Sequence, residues 1–107
     1  MYIICMTATD YIDFEWDDRK AASNEIKHGI SFDEAADAFS DPYARVIPDP
    51  DHSDYEERVI LIGMSLSARV LTVCHCERNS GTSIRIISAR KSTRTEREAY
   101  WRYRDEG

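Results

Sequence analysis

Residues 58–91 read RVILIGM-SLSA-RVLTVCHCE-RNSG-TSIRIISA-RK, and the architecture follows from them. Residues 58–64 are apolar on both faces, as a strand inside a sheet is. Residues 65–68 have the length of a hairpin turn, and 69–77 read as a second strand. Asn79, Ser80 and Gly81 supply another turn, and 82–89 a third strand. Downstream, Thr93 followed three residues later by Glu96 is a capping box that opens a helix running to about Arg104.

Upstream, helices dominate. Residues 44–47 are a brief strand, and 48–55 an acidic loop with two prolines and three aspartates. Ser31 and Glu34 form another capping box, followed by Phe32, Ala35, Ala36 and Phe39 at helical spacing until Asp41-Pro42 ends the helix. Asp17 or Asp18 caps an earlier helix that runs to about His28, with Gly29 as its left-handed stop. Residues 12–16 alternate apolar and polar, a short strand. Residues 1–11 show no clear period and read as an N-terminal appendage, with Met6 as a second possible start. The order β, α, α, β, β, β, β, α predicts an α+β fold with an antiparallel sheet. At 107 residues the whole chain, 1–107, is one domain.

The formal net charge is −6, but it is divided: residues 1–57 sum to −11 and residues 58–107 to +5. The overall sign weighs against a protein that coats nucleic acid. There is no P-loop, G-x-G-x-x-G, H-E-x-x-H or G-x-S-x-G pattern. No apolar run reaches the roughly 20 residues of a membrane helix. Three cysteines, Cys5, Cys74 and Cys76, form no disulfide framework and suggest a reducing cytoplasm. On a strand, Cys74 and Cys76 share one face and His75 takes the other, without a second ligand pair, so buried thiols are favoured over a metal site.

Two constellations can carry chemistry. Lys20, Asn24, Lys27 and His28 fall on one helical face, a basic stripe in the acidic half. It reads either as a solvated face or as an anion site. Arg58, Arg69, Arg78, Arg85 and Arg90 sit in or beside the strands. Arg85, between Ile84 and Ile86, projects from the opposite face, where it either pairs with a carboxylate such as Glu57 or Glu77 or grips a phosphate. Glu57 and His75 are possible proton carriers, although His75 also suits a core position. In the last helix Tyr100, Trp101 and Tyr103 alternate with arginines, a pattern for stacking bases or for docking on the sheet.

Several segments together resemble the BrnT family, toxins of type II toxin–antitoxin modules. They are Phe14-Glu-Trp-Asp17, the run from Lys20 to Ala35, Phe39-Ser-Asp-Pro42, Glu56-Glu57-Arg58, Ile62-Gly63, Arg85-Ile-Ile-Ser-Ala-Arg90-Lys91 and Glu96-Arg97-Glu-Ala-Tyr100. The resemblance spans about Phe14 to Tyr103. It departs from the usual pattern at the turn after Gly63, where a glycine near the tip is more common, and at the slightly long turn after Arg78.

The resemblance implies a RelE-like fold, a small antiparallel sheet with two N-terminal helices and a C-terminal helix packed on it. It implies a ribonuclease that blocks translation and is neutralised by a BrnA-type ribbon-helix-helix antitoxin, in a hetero-oligomer that reaches operator DNA only through the antitoxin. The expected chemistry is metal-independent and cofactor-free. Glu57 and His28 would transfer protons while Lys27, Arg78, Arg85 and Arg90 hold the phosphate. Lys20, Asn24, Arg58, Lys91 and Tyr100 would contact RNA. The alternative is an inactive toxin-like protein that only binds its antitoxin and co-represses the operon.

Overall fold

The structure, a computed structural model, describes residues 2–5, 11–49, 58–78 and 82–106. Among the described residues six strands form one sheet: β1 (Tyr2–Cys5), β2 (Tyr11–Glu15), β3 (Arg45–Pro48), β4 (Arg58–Met64), β5 (Val70–Arg78) and β6 (Ser83–Lys91). Their spatial order is β1-β2-β6-β5-β4-β3. Three helices accompany them: α1 (Asp18–His28), α2 (Phe32–Asp37) and α3 (Arg94–Glu106), with a 3-10 turn over Ala38–Ser40 after α2.

The antiparallel ladder β3-β4-β5-β6 is as expected, because short connections can only reverse the chain. Two features correct the sequence reading. First, β2 pairs with β6 in parallel, so the sheet is mixed. Helices and hairpins separate these strands along the chain, and a crossover connection permits either direction. Second, residues 2–5 belong to the sheet: β1 pairs antiparallel with β2 at its edge. A four-residue apolar run has no alternation from which a strand can be recognised.

Period-2 alternation gives the sheet two faces. One carries Phe14, Leu61, Leu71, Val73, Ile84, Ile86 and Ala89, and α1, the link after it, α2 and the 3-10 turn cover it with Ala21, Ile30, Phe32, Ala35, Ala36, Ala38 and Phe39. Gly63 permits this closeness, since a Cβ there would lie 2.9 Å from the Ala38 carbonyl oxygen. The other face carries Ile62 and Val70, on which α3 lays the fully buried ring of Tyr100. Tyr100 donates its hydroxyl to Asp41 Oδ2 at 2.6 Å, and the same oxygen accepts the Met64 N–H at 2.7 Å.

The β4–β5 turn solves its missing glycine directly. Ala68 adopts φ 61°, the left-handed region, while Ser65 Oγ accepts the N–H groups of Ser67 and Arg69. Arg69 clamps the turn to α2 through Glu34, with Nε 2.9 Å from Oε2.

Strand β6 contains the one register shift in the β5–β6 pairing: Cys74 faces Ser88 and His75 faces Ile86, leaving Ile87 as an extra residue. The bulge lets Ile84, Ile86 and Ala89 all point into the core although they do not share one parity. Arg85, Ser88 and Arg90 then share the opposite face.

Candidate functional site

The site is built at the junction of β2 and α1. Phe14 and Trp16 turn inward, edge-on to Phe39 and Phe32 at 5.1 and 5.9 Å between ring centroids. Glu15, between them, therefore points to the other face of the sheet. Asp17 ends the strand and caps α1, its Oδ1 accepting the N–H groups of Arg19 (2.8 Å) and Lys20 (3.1 Å). These bonds hold the Asp17 carboxyl below its ordinary range, assisted by the charges of Lys20 and Arg85.

Helix α1 then runs beside β6, past the end of β2. Asn24, expected to contact RNA, is buried here and has a structural role. Its Nδ2 donates to the carbonyls of Ala89 (2.8 Å) and Ile30 (3.0 Å), and its Oδ1 accepts the Ala89 N–H (3.0 Å). Gly29, at φ 71°, stops the helix. Lys20 and Lys27 remain exposed and His28 partly so.

Together α1 and the bulge of β6 enclose an open groove of about 320 Å³, lined by Arg19, Lys20, Ser23, Asn24, Lys27 and His28 on one side and Ile87 and Ser88 on the other. Among the described residues no carboxylate forms an ion pair with Lys20, Lys27 or His28. Next to the groove, four residues stand in register across the sheet: Glu15, Arg85, Cys76 and Arg58. Arg78, in register with Ser83 and Asp13, reaches across to this row, with Nε 3.7 Å from Glu15 Oε1, while Arg85 Nη1 lies 3.9 Å from the same oxygen. The result is a group of arginines on this face of the sheet with the Glu15 carboxylate among them.

Other expected site residues lie elsewhere. Arg90 makes a two-point pair with Glu96, at 2.8 and 3.1 Å. Glu96 also accepts from the Thr93 N–H and from Thr72 Oγ1, closing the capping box. Arg90, with these other donors, brings the Glu96 carboxyl down to about 2 against the cost of its burial. This network anchors the start of α3. Lys91 is exposed at the end of β6, and its charge acts on Glu34. Tyr100 is fully buried, and burial followed by its bond to Asp41 pushes its hydroxyl up to about 12. Glu57 lies outside the described residues.

His75 is a core residue, edge-on to Phe39 at 4.8 Å. Its Nδ1 is 3.3 Å from the Val73 carbonyl oxygen, and its Nε2 has no partner among the described residues. Burial pushes the imidazole down to about 4. Cys74, on the opposite face as expected, donates its thiol to Asp49 Oδ2 at 3.4 Å. Burial and that carboxylate raise the thiol to about 12, so it carries little thiolate at neutral pH. Sequence reasoning missed Glu15, Arg19 and Ser88 as neighbours of the site. The alternation of Phe14, Glu15 and Trp16 was a signal for the first.

This fold and groove define a small α+β domain whose cationic cleft suits a polyanion. Residues 16–96, more than half of the chain, match the family model described as ribonuclease toxin, BrnT, of type II toxin–antitoxin system. The chain belongs to the BrnT family of ribonuclease toxins. Its fold is similar to the 1.1 Å crystal structure of the Brucella abortus ribonuclease toxin, BrnT. The TM-score is 0.59 at 21% identity, covering 78% of this chain and 99% of that one. No curated protein matches the chain. Family membership implies an RNA target and an antitoxin partner. Among the described residues no helix is long and apolar enough to cross a membrane.

Proposed function

We propose that this protein is a metal-independent endoribonuclease that inhibits translation in the cytoplasm. The carrying observation is that Lys20 and Lys27, which form no ion pair among the described residues, line one groove with His28. In this reading the ribose 2′-oxygen attacks the adjacent phosphorus. The new 2′-O–P bond forms as the P–O5′ bond breaks, leaving a cyclic phosphate and a free 5′-hydroxyl. One proton leaves the 2′-hydroxyl and another reaches the departing 5′-oxygen. Only RNA offers that nucleophile.

His28 and Glu57, the residue before Arg58 in the chain, divide the two proton transfers. Lys27, Arg78 and Arg85 hold the phosphate and stabilise the charge that grows on its oxygens. Lys20 and Arg58 extend the cationic track, while Lys91, at the end of β6 toward Glu34, lies apart from it. Arg90, held by Glu96, supports the fold instead of the phosphate. We read the architecture as RelE-like and the antitoxin as BrnA-type, a ribbon-helix-helix protein that covers the cationic face and alone reads operator DNA.

The test is cleavage of single-stranded RNA by the purified chain in EDTA, with end mapping of the products. Persistent cleavage leaving cyclic phosphate ends supports the reading. Activity that disappears in EDTA and returns with a divalent metal overturns it. A folded chain that arrests growth without cutting RNA overturns it as well.

A further inference from the structure

The Phe14–Asp17 motif does more than end a strand and cap a helix. Its two aromatic residues enter the core and Asp17 caps α1, yet neither role uses Glu15. Glu15 is the register partner of Arg85 on the parallel pair β2–β6, so both side chains project from the same face. A single carboxylate oxygen, Oε1, stands between Arg85 Nη1 at 3.9 Å and Arg78 Nε at 3.7 Å.

Those distances exceed hydrogen-bond length. The same fold holds two other arginines differently. Arg90 and Arg69 bond their carboxylates directly, with contacts of 2.8 and 2.9 Å that occupy their N–H groups. Among the described residues Arg85 makes no hydrogen bond through its side chain. Glu15 therefore holds two mutually repelling guanidinium groups close together without occupying the Arg85 donors. A carboxylate on a face that receives an anion weakens binding by simple electrostatics, so its place there calls for a compensating role.

We infer that Glu15 is a positioning residue for the reaction: it sets the guanidinium of Arg85, with that of Arg78, toward the scissile phosphate. This rests on the proposed ribonuclease function. Positioning and plain electrostatics predict opposite results for Glu15→Gln. Removing a negative charge alone tightens RNA binding and leaves kcat unchanged. Losing the orientation of Arg85 lowers kcat even though RNA binds as tightly or more tightly.

The experiment measures RNA affinity and single-turnover cleavage for the wild-type chain, Glu15→Gln, Glu15→Asp, Arg85→Lys and the double variant Glu15→Gln/Arg85→Lys, with thermal unfolding as a check on folding. For Glu15→Gln we expect undiminished affinity and a loss in kcat on the order of 10- to 100-fold. Glu15→Asp should recover part of it. In the Arg85→Lys background the same substitution should cost little more, because residues that act as a unit are not additive. A kcat for folded Glu15→Gln within about twofold of wild type overturns the inference while leaving the ribonuclease reading intact. If Glu15→Gln loses its folded transition, Glu15→Asp decides: a wild-type kcat there overturns the inference, and a reduced one supports it. A wild-type chain that cleaves no RNA overturns the proposed function and this inference with it.

Discussion

The side chain of Asn24 makes both hydrogen bonds that a neighbouring strand would offer to Ala89, at 2.8 and 3.0 Å. Strand β2 ends at Glu15, so β6 has no strand partner on that side beyond Arg85. One amide from α1 continues the ladder, and its second N–H satisfies the Ile30 carbonyl. This junction fixes the helix that carries Lys20, Lys27 and His28 against β6. The groove therefore depends on a residue that needs no contact with substrate.

Asn24→Ala should lower stability by about 2–4 kcal/mol, since it strands three buried backbone groups. Asn24→Asp should fare no better at neutral pH, because both donors are lost and a charge faces two carbonyls. Urea unfolding checks both. A variant of wild-type stability that only binds RNA more weakly would instead make Asn24 a contact residue.

Arg85→Ala and Arg90→Ala should separate chemistry from folding. Arg85→Ala should reduce cleavage about 100- to 1,000-fold, the effect of losing one transition-state donor, with stability changed by no more than about 0.5 kcal/mol. Arg90→Ala should destabilise by about 1 kcal/mol, allowing for the partial exposure of its pair with Glu96. Paired measurements of unfolding and RNA cleavage test this division, which an inactive but fully stable Arg90→Ala would refute.

Acid should weaken the fold in two stages. The buried His75 imidazole is held at about 4, below its ordinary 6.5, so the unfolded chain takes up the proton first. The neutral ring's contribution is complete above about 6.5 and falls away as pH drops toward about 4, by at most about 3 kcal/mol. Glu96, lowered from 4.5 to about 2, contributes above 4.5 and loses its share as pH falls through that range. Stability measured from pH 8 to pH 3 should show both limbs, and His75→Phe should remove the upper one. A His75→Phe variant that retains the full decline between pH 7 and 5 would assign it to other groups.

Tyr100→Phe should cost about 1–2 kcal/mol through the lost bond to Asp41. RNA affinity should be unchanged, because the ring is fully buried. A selective fall in RNA binding without loss of stability would restore Tyr100 to the substrate face.

The local elements were legible because their signals are local. Asp17, Ser31 and Thr93 announce helix starts, Gly29 a stop, and the apolar runs after Arg58 the central strands. Periodicity also showed that Lys20, Lys27 and His28 share a face and that Arg85 leaves the core. Partner choice was not legible. Nothing beside Arg90 in the chain separates it from Arg85, yet the capping-box carboxylate of Glu96 reaches the first and only the more distant Glu15 the second. Asn24 lies on the same helical stripe as the two lysines, and only the end of β2 explains why its amide turns inward. Composition, capping and alternation act over a few residues, so the chain alone determined the elements and which faces are charged. Pairing across the sheet joins residues far apart in sequence, and the tertiary structure alone decided which cations the fold neutralises and which it leaves open to an anion.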